Sequence, residues 1–234
     1  PDGNMYGYFH YYDTGLNSVS PSILINEAWL DKVGMDKPDS IDELVEVLRA
    51  FKASGDLDGD GQGQIWPFGF AQNGFAATME AIMPAFGLKT GKTLYVEDDG
   101  TVQFAYAQEG FKDLVVWLRG LVEEGLLDPE TFTHDFASYT AKIAQYNYGV
   151  CFLWAPYSAF GVGNPNDMGY LPPLVGPNGD VGYSWGGTAP VVNSTVVTSA
   201  CKYPEAVARL MDYISDVSLE RGVYVADGLL GINV

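Results

Sequence analysis

The stretch that most restricts the fold runs from residue 40 to residue 71. Ser40-Ile-Asp-Glu43 is a capping box, in which the serine hydroxyl and the glutamate each satisfy an orphan backbone donor. Ile41, Leu44, Val45, Leu48 and Phe51 follow at helical spacing, which predicts an amphipathic helix over 40–54. An Asp/Gly loop comes next, and 65–71 reads as a strand. The rest of the chain continues this alternation. Val19-Ser-Pro-Ser-Ile-Leu-Ile reads as a strand, and Asn26 as the N-cap of a short helix that Gly34 stops. Helices are predicted over 75–86 (with Pro84 near its end), 109–124 and 134–146, a hairpin over 93–104, and a buried strand over 149–154. A strand near 169–171, a β-branched strand over 189–198 and helices over 204–215 and 218–226 complete the pattern. Such alternation predicts an α/β fold with a largely parallel or mixed sheet.

The loop inside this unit carries the most direct chemical signal. Residues 56–64 read Asp-Leu-Asp-Gly-Asp-Gly-Gln-Gly-Gln, with oxygen ligands at Asp56, Asp58 and Asp60 and a glycine at the sixth position, as in a calcium loop of the EF-hand type. Gln62 would add its backbone carbonyl and Gln64 a side-chain oxygen. Three carboxylates this close repel one another unless a hard cation lies among them. Position twelve is Pro67 where the full motif has a bidentate Glu, so one ligand must come from outside or from water. The competing reading is a polar Asp/Gly turn.

Formal charge is −18, from 30 acids against 12 bases. Nucleic acid and acidic membrane surfaces are poor partners for that balance, because phosphate contacts need clustered Lys and Arg. The two cysteines, Cys151 and Cys201, make neither a disulfide framework nor a metal site and are expected to be buried and free.

Nothing in the chain supports catalysis. His10 and His134 lie in no His-x-x-x-His pattern, and there is no Gly-x-Ser-x-Gly elbow or Cys/His signature. The acid pairs Glu123-Glu124 and Asp98-Asp99 fall at a helix end and in a turn, where solvated carboxylates are ordinary. Aromatic residues tell more. Tyr6, Tyr8, Phe9, Tyr11 and Tyr12 cluster near the start, Trp154-Ala-Pro-Tyr157 follows a buried strand, and Tyr183-Ser-Trp185 follows a Gly-rich loop. Rings leaving strand ends into loops suit a sugar cleft, where pyranose faces stack and hydroxyls take Asn, Gln and Asp hydrogen bonds. The competing reading is that most of these rings are simply core; three clusters in loop contexts favour the cleft.

The order of these segments resembles a known family. Ser22-Ile-Leu-Ile-Asn-Glu-Ala-Trp-Leu-Asp-Lys-Val-Gly, Pro38-Asp-Ser-Ile-Asp-Glu-Leu and Ala50-Phe-Lys with the Asp/Gly loop are similar to the extracellular solute-binding proteins of bacterial ABC importers. Leu121-Val-Glu-Glu-Gly-Leu-Leu-Asp-Pro-Glu, Leu171-Pro-Pro-Leu-Val-Gly-Pro-Asn-Gly and Lys202-Tyr-Pro-Glu-Ala-Val-Ala-Arg-Leu-Met-Asp-Tyr extend the likeness along most of the chain. More narrowly, the chain is similar to the family 1 sugar-binding lipoproteins, the group that includes the maltose-binding and alginate-binding proteins.

The resemblance implies a type II periplasmic-binding-protein-like fold, in which two α/β lobes close on a ligand. Residues 1–14 would be a crossing segment, 15–183 the second lobe, 184–220 a segment crossing back to the first lobe, and 221–234 the start of a return. Most of the first lobe, the signal peptide and the lipid anchor would then lie outside this sequence. The strand at 189–198 is accordingly expected to lack sheet partners and to promote association. The implied function is the extracellular (or periplasmic), non-enzymatic receptor of an ABC importer, binding a neutral sugar and docking on transmembrane permease subunits. A carbohydrate module of a secreted enzyme and a peptide- or cation-binding receptor stay open as alternatives. By the same likeness Tyr12, Gln72, Asn73, Phe75, Trp154, Tyr157 and Trp185 line the ligand cleft. Asn73 stands where related members carry an acid and Phe75 where they carry a tyrosine, so the same sugar is not implied. Related members also bind structural Ca2+ at 56–64, with acids where this chain has Gln64 and Ile65.

Overall fold

The computed structural model describes residues 7–11, 21–57, 61, 65–73, 77–89, 94–97, 99–153, 168–183 and 190–215, with backbone alone at 7–11, 190–195 and 214–215. The chain forms two compact units, Pro1–Asp13 with Thr188–Val234, and Thr14–Gly187.

The Thr14–Gly187 unit is built on a four-stranded sheet. Its strands are β2 (Ser22–Asn26), β3 (Trp66–Gly69), β6 (Tyr148–Leu153) and β7 (Met168–Tyr170), in the order β3-β6-β2-β7. β3 and β6 run parallel, while β2 is antiparallel to both β6 and β7, so the sheet is mixed as expected. Both faces are covered. Ile23, Ile25, Val150 and Phe152 enter a large apolar cluster with α1 (Glu27–Val33), α2 (Ile41–Ser54) and α3 (Glu109–Glu123). Leu24, Cys151 and Leu153 point the other way, into a smaller cluster with Tyr139 and Ile143 of α4 (Phe136–Ala144). Every residue of β6 is buried, as a strand covered on both faces requires. Gly149 lets the helices approach this strand: a Cβ there would lie 2.4 Å from the Phe51 ring and 2.9 Å from Trp29.

Local signals fix the helix ends. Asn26 accepts a hydrogen bond from the Trp29 amide at 3.1 Å, and Gly34 closes α1 in a left-handed conformation. Ser40 Oγ accepts from the Glu43 amide at 3.2 Å, while the Glu43 carboxylate takes the Asp39 amide at 2.8 Å, one residue earlier than a strict capping box. The amide of Ile41 donates to Val175 and that of Val175 to Asp39, tying the start of α2 to residue 175.

Several expectations are corrected. The helix predicted over 75–86 is, among the described residues, two 3-10 turns, Met79–Ala81 and Met83–Phe86, meeting at Ile82. Pro84 has no N–H to give and disfavours the α conformation in the residue before it, so a continuous helix cannot form. The helix predicted over 134–146 starts only at Phe136, because the Asp135 carboxylate caps the Ser138 amide at 2.8 Å. The 93–104 hairpin is present as β4 (Leu94–Val96) and β5 (Val102–Phe104). Cys151 is buried and free, but the free Cys201 is partly exposed.

In the other unit, β1 (Gly7–Tyr11) pairs antiparallel with β8 (Pro190–Val196), and α5 (Pro204–Ser215) follows. The strand expected to lack a partner therefore has one. The helix predicted over 218–226 lies outside the described residues.

Candidate ligand-binding site

The carboxyl ends of β3 and β6 lie side by side, with Gly69 opposite Cys151 in a parallel ladder. Chain leaving neighbouring parallel strands at that edge is where open α/β sheets bind ligands. Tyr139 clamps the two ends: its hydroxyl donates to the Phe152 carbonyl at 2.7 Å, accepts from the Phe152 amide at 3.0 Å, and lies 3.3 Å from the Gly69 carbonyl.

Beyond β3, residues 70–73 are held to residues 131–134. The Gln72 amide donates to the Thr131 carbonyl at 3.2 Å, and Asn73 Nδ2 to the Phe132 carbonyl at 3.4 Å. His134 Nε2 meets the Phe70 carbonyl at 2.9 Å, which sets its tautomer, since a carbonyl only accepts. Asn73 is exposed and Gln72 half-buried. Three polar atoms here are shielded from solvent and have no protein partner: Gln72 Oε1, Thr131 Oγ1 and His134 Nδ1. Unmet hydrogen-bonding capacity at a strand-end loop is what a polar ligand or a bound water satisfies.

A buried ionic cluster holds this loop from below. Asp128 is 1% exposed, yet its carboxylate receives the Lys142 ammonium at 2.6 Å, the Tyr148 hydroxyl at 2.5 Å and the Glu130 amide at 2.9 Å. Burial alone would raise the Asp128 pKa, but the hydrogen bonds from Lys142 and Tyr148 bring it below the ordinary aspartate value. Burial and the same carboxylate push the Tyr148 phenol well up. Lys142 also reaches Glu130 at 2.8 Å. Asp128 N-caps the 3-10 turn Pro129–Phe132, and that turn presents the carbonyls that hold Gln72 and Asn73. Sequence reasoning missed Asp128, Lys142, Tyr148 and Thr131. The signal was a single acid after Leu126-Leu, followed by a proline that starts a turn.

Gln72 and Asn73 thus lie together in the loop that leaves β3. Phe75, Trp154, Tyr157, Trp185 and Tyr12 lie outside the described residues. In the acidic loop, Asp56 and Gly61 are described, while Asp58, Asp60, Gln62 and Gln64 are not. Gly61 has φ +71°, and its amide donates to Asp56 Oδ2 at 3.2 Å, so the chain turns back on Asp56 at this glycine. Leu57 is buried in the main core, and its carbonyl accepts from Lys32 at 2.5 Å, so the start of the loop is anchored. Among the described residues no group of three His, Cys, Asp or Glu side chains comes together as a metal site. Cys151 is a poor nucleophile, because burial pushes its thiol up to about 12.

The sequence profile of the bacterial extracellular solute-binding proteins matches residues 2–216. The chain belongs to that family. It is 33% identical over 219 residues to FusA of Streptococcus pneumoniae, a fructooligosaccharide ABC transporter substrate-binding protein, covering 91% of this chain and 40% of that one. FusA in complex with kestose superposes with a TM-score of 0.74 at 32% identity, over 92% of this chain and 44% of that one. A FusA EF-hand mutant in complex with fructo-nystose gives 0.75 at 32%, over 96% and 46%. Lipoprotein LipO of Bacillus subtilis is 21% identical, over 99% of this chain and 47% of its own. The chain thus spans less than half the length of these relatives. Its fold is that of the type II periplasmic-binding-protein-like proteins, and FusA is a substrate-binding protein.

Proposed function

We propose that this chain forms one lobe, about residues 15–183, and part of a second in the extracellular receptor of an ABC importer for neutral oligosaccharides, with fructooligosaccharides the first class to test. The 33% identity to FusA over 91% of the chain carries this reading. The strand-end loop supports it, because Gln72 and Asn73 are neutral hydrogen-bonding groups at an edge where sugar hydroxyls need both donors and acceptors. In this reading Phe75, Trp154, Tyr157, Trp185 and Tyr12 supply the stacking surfaces. A lipid-anchored receptor delivering its ligand to permease subunits fits the likeness to LipO.

Calorimetry of the whole protein with kestose, nystose, maltotriose and a cationic dipeptide tests this directly. A neutral oligosaccharide is expected to bind, and Tyr157→Ala to weaken it by about 1–3 kcal/mol, the size of one stacking contact on an aromatic ring. Binding of the dipeptide alone would replace the reading with a cationic-solute receptor. Sugar affinity untouched by Tyr157→Ala would move the stacking surface elsewhere.

We also propose that Asp56, Asp58, Asp60, Gln62 and Gln64 hold a structural Ca2+. The Asp56–Gly61 turn and the EF-hand of FusA support this. The ion would neutralise three crowded carboxylates and stabilise the fold by mass action. Calcium is expected to raise the melting temperature, magnesium only weakly, and Asp58→Ala to abolish the response while leaving sugar affinity in place. A chelator without effect on the melting curve would reduce the loop to a turn.

A further inference from the structure

The carboxylate of Asp128 divides its two oxygens between separate tasks. Oδ2 receives the Lys142 ammonium at 2.6 Å and the Tyr148 hydroxyl at 2.5 Å. Oδ1 receives the Glu130 amide at 2.9 Å, as the N-cap of the turn Pro129–Phe132. The Oδ2 contacts join α4 and β6 to the residue. The Oδ1 contact leads instead to the ligand loop, along an unbroken path of hydrogen bonds. The Thr131 amide donates to the Asp128 carbonyl at 3.0 Å, which closes the turn. Two carbonyls of the turn then face the loop: Thr131 accepts from the Gln72 amide at 3.2 Å, and Phe132 from Asn73 Nδ2 at 3.4 Å.

The last of these contacts fixes a polarity. A carbonyl oxygen only accepts, so the Asn73 side chain turns its nitrogen toward Phe132. Its Oδ1 is then left as an acceptor for whatever approaches this exposed residue. With the amide reversed, two acceptors would oppose each other at the turn and a donor would face outward. Gln72 Oε1, which has no protein partner, is a second acceptor in the same loop. A hydroxyl-bearing ligand has a proton to give to each. We propose that Asp128 is a positioning residue for the ligand loop: through Oδ1 and the turn it caps, it holds Asn73 with its carbonyl oxygen outward, while Oδ2 bears on stability. The role rests on the oligosaccharide reading above for its ligand.

Two substitutions separate the oxygens. Asp128→Ala removes both. Asp128→Asn keeps an oxygen for the cap, at which Asn and Asp are equally good, and sets an amide nitrogen against Lys142. The whole protein is titrated with nystose by calorimetry, unfolded in urea, and followed by NMR at the Asn73 side-chain amide. Asp128→Ala is expected to weaken nystose about tenfold, the scale of one hydrogen bond, and to move the Asn73 signal toward that of a free amide. Asp128→Asn should rescue both affinity and signal while still lowering stability. Affinity and stability falling together in Asp128→Asn would make the residue merely structural and overturn the role, as would full affinity in Asp128→Ala. If the alanine variant does not fold, Asp128→Asn decides alone on the same terms. If the unsubstituted protein does not bind nystose, the oligosaccharide reading fails at its first ligand, and the free protein still decides this role. An Asn73 signal displaced by Asp128→Ala and restored by Asp128→Asn supports it, and an unmoved one overturns it.

Discussion

Replacing Phe68 by Ala is expected to lower the unfolding free energy by about 3–5 kcal/mol, the range for truncating a buried aromatic. Phe68 has no exposed surface, and its ring sits at the junction of three elements. Phe152 of β6 meets it edge-on at 5.0 Å, Phe70 lies at 5.7 Å and Trp117 of α3 at 6.2 Å. The backbone there is held as firmly, with the Phe68 amide donating to Leu126 and its carbonyl accepting from Asp128, both at 3.0 Å. A cavity between a sheet and a helix fixed on both sides cannot collapse, so the upper part of the range applies. Urea denaturation should show a lower midpoint with an unchanged slope. A loss below about 1 kcal/mol would mean that the core at this point is far looser than its ring geometry.

Asp128→Ala is expected to cost about 3 kcal/mol, the low end for breaking a buried ion pair, because Lys142 keeps Glu130 and is partly exposed. Most of the loss comes from the buried Tyr148 hydroxyl, whose acceptor disappears. The pH dependence has a definite sign. Asp128 titrates below the ordinary aspartate value of about 3.9 when folded, so its contribution is complete above that value and is lost as pH falls through the folded pKa. The stability gap between the protein and Asp128→Asn should therefore be constant near neutrality and close under acid, at pH below about 4. A gap that holds constant to pH 3 would show that charge on Asp128 contributes nothing.

Local chemistry was legible in the sequence wherever one short segment settles its own conformation. Asn26, Gly34 and Ser40 act within three or four residues of themselves, and each end they mark is where the structure places it. The 75–86 segment misled because Met79, Ile82, Met83 and Phe86 have helical spacing, and apolar spacing says nothing of a missing proline N–H. Strand order was not legible either, since β2 pairs with β6 and β7, both more than a hundred residues later in the chain. At the candidate site Gln72 and Asn73 came from family likeness. The cluster behind them escaped because Asp128 meets Lys142 and Tyr148 only after a turn, a helix and the start of a strand have been laid down. Pairing across such spans leaves no periodic trace.

The place of β6 in the sheet also sets when the unit can fold. β2 and β3 are made first, yet they are not neighbours; β6 lies between them and is complete only at residue 153. Until then neither early strand has its partner, and nearly all of the ladder waits on contacts distant in sequence, which form slowly. On a chain emerging from the ribosome this sheet would stay open until β6 has followed, its apolar strands available to a chaperone. The sheet thus closes late and all at once, when its central strand arrives between two that precede it in the chain.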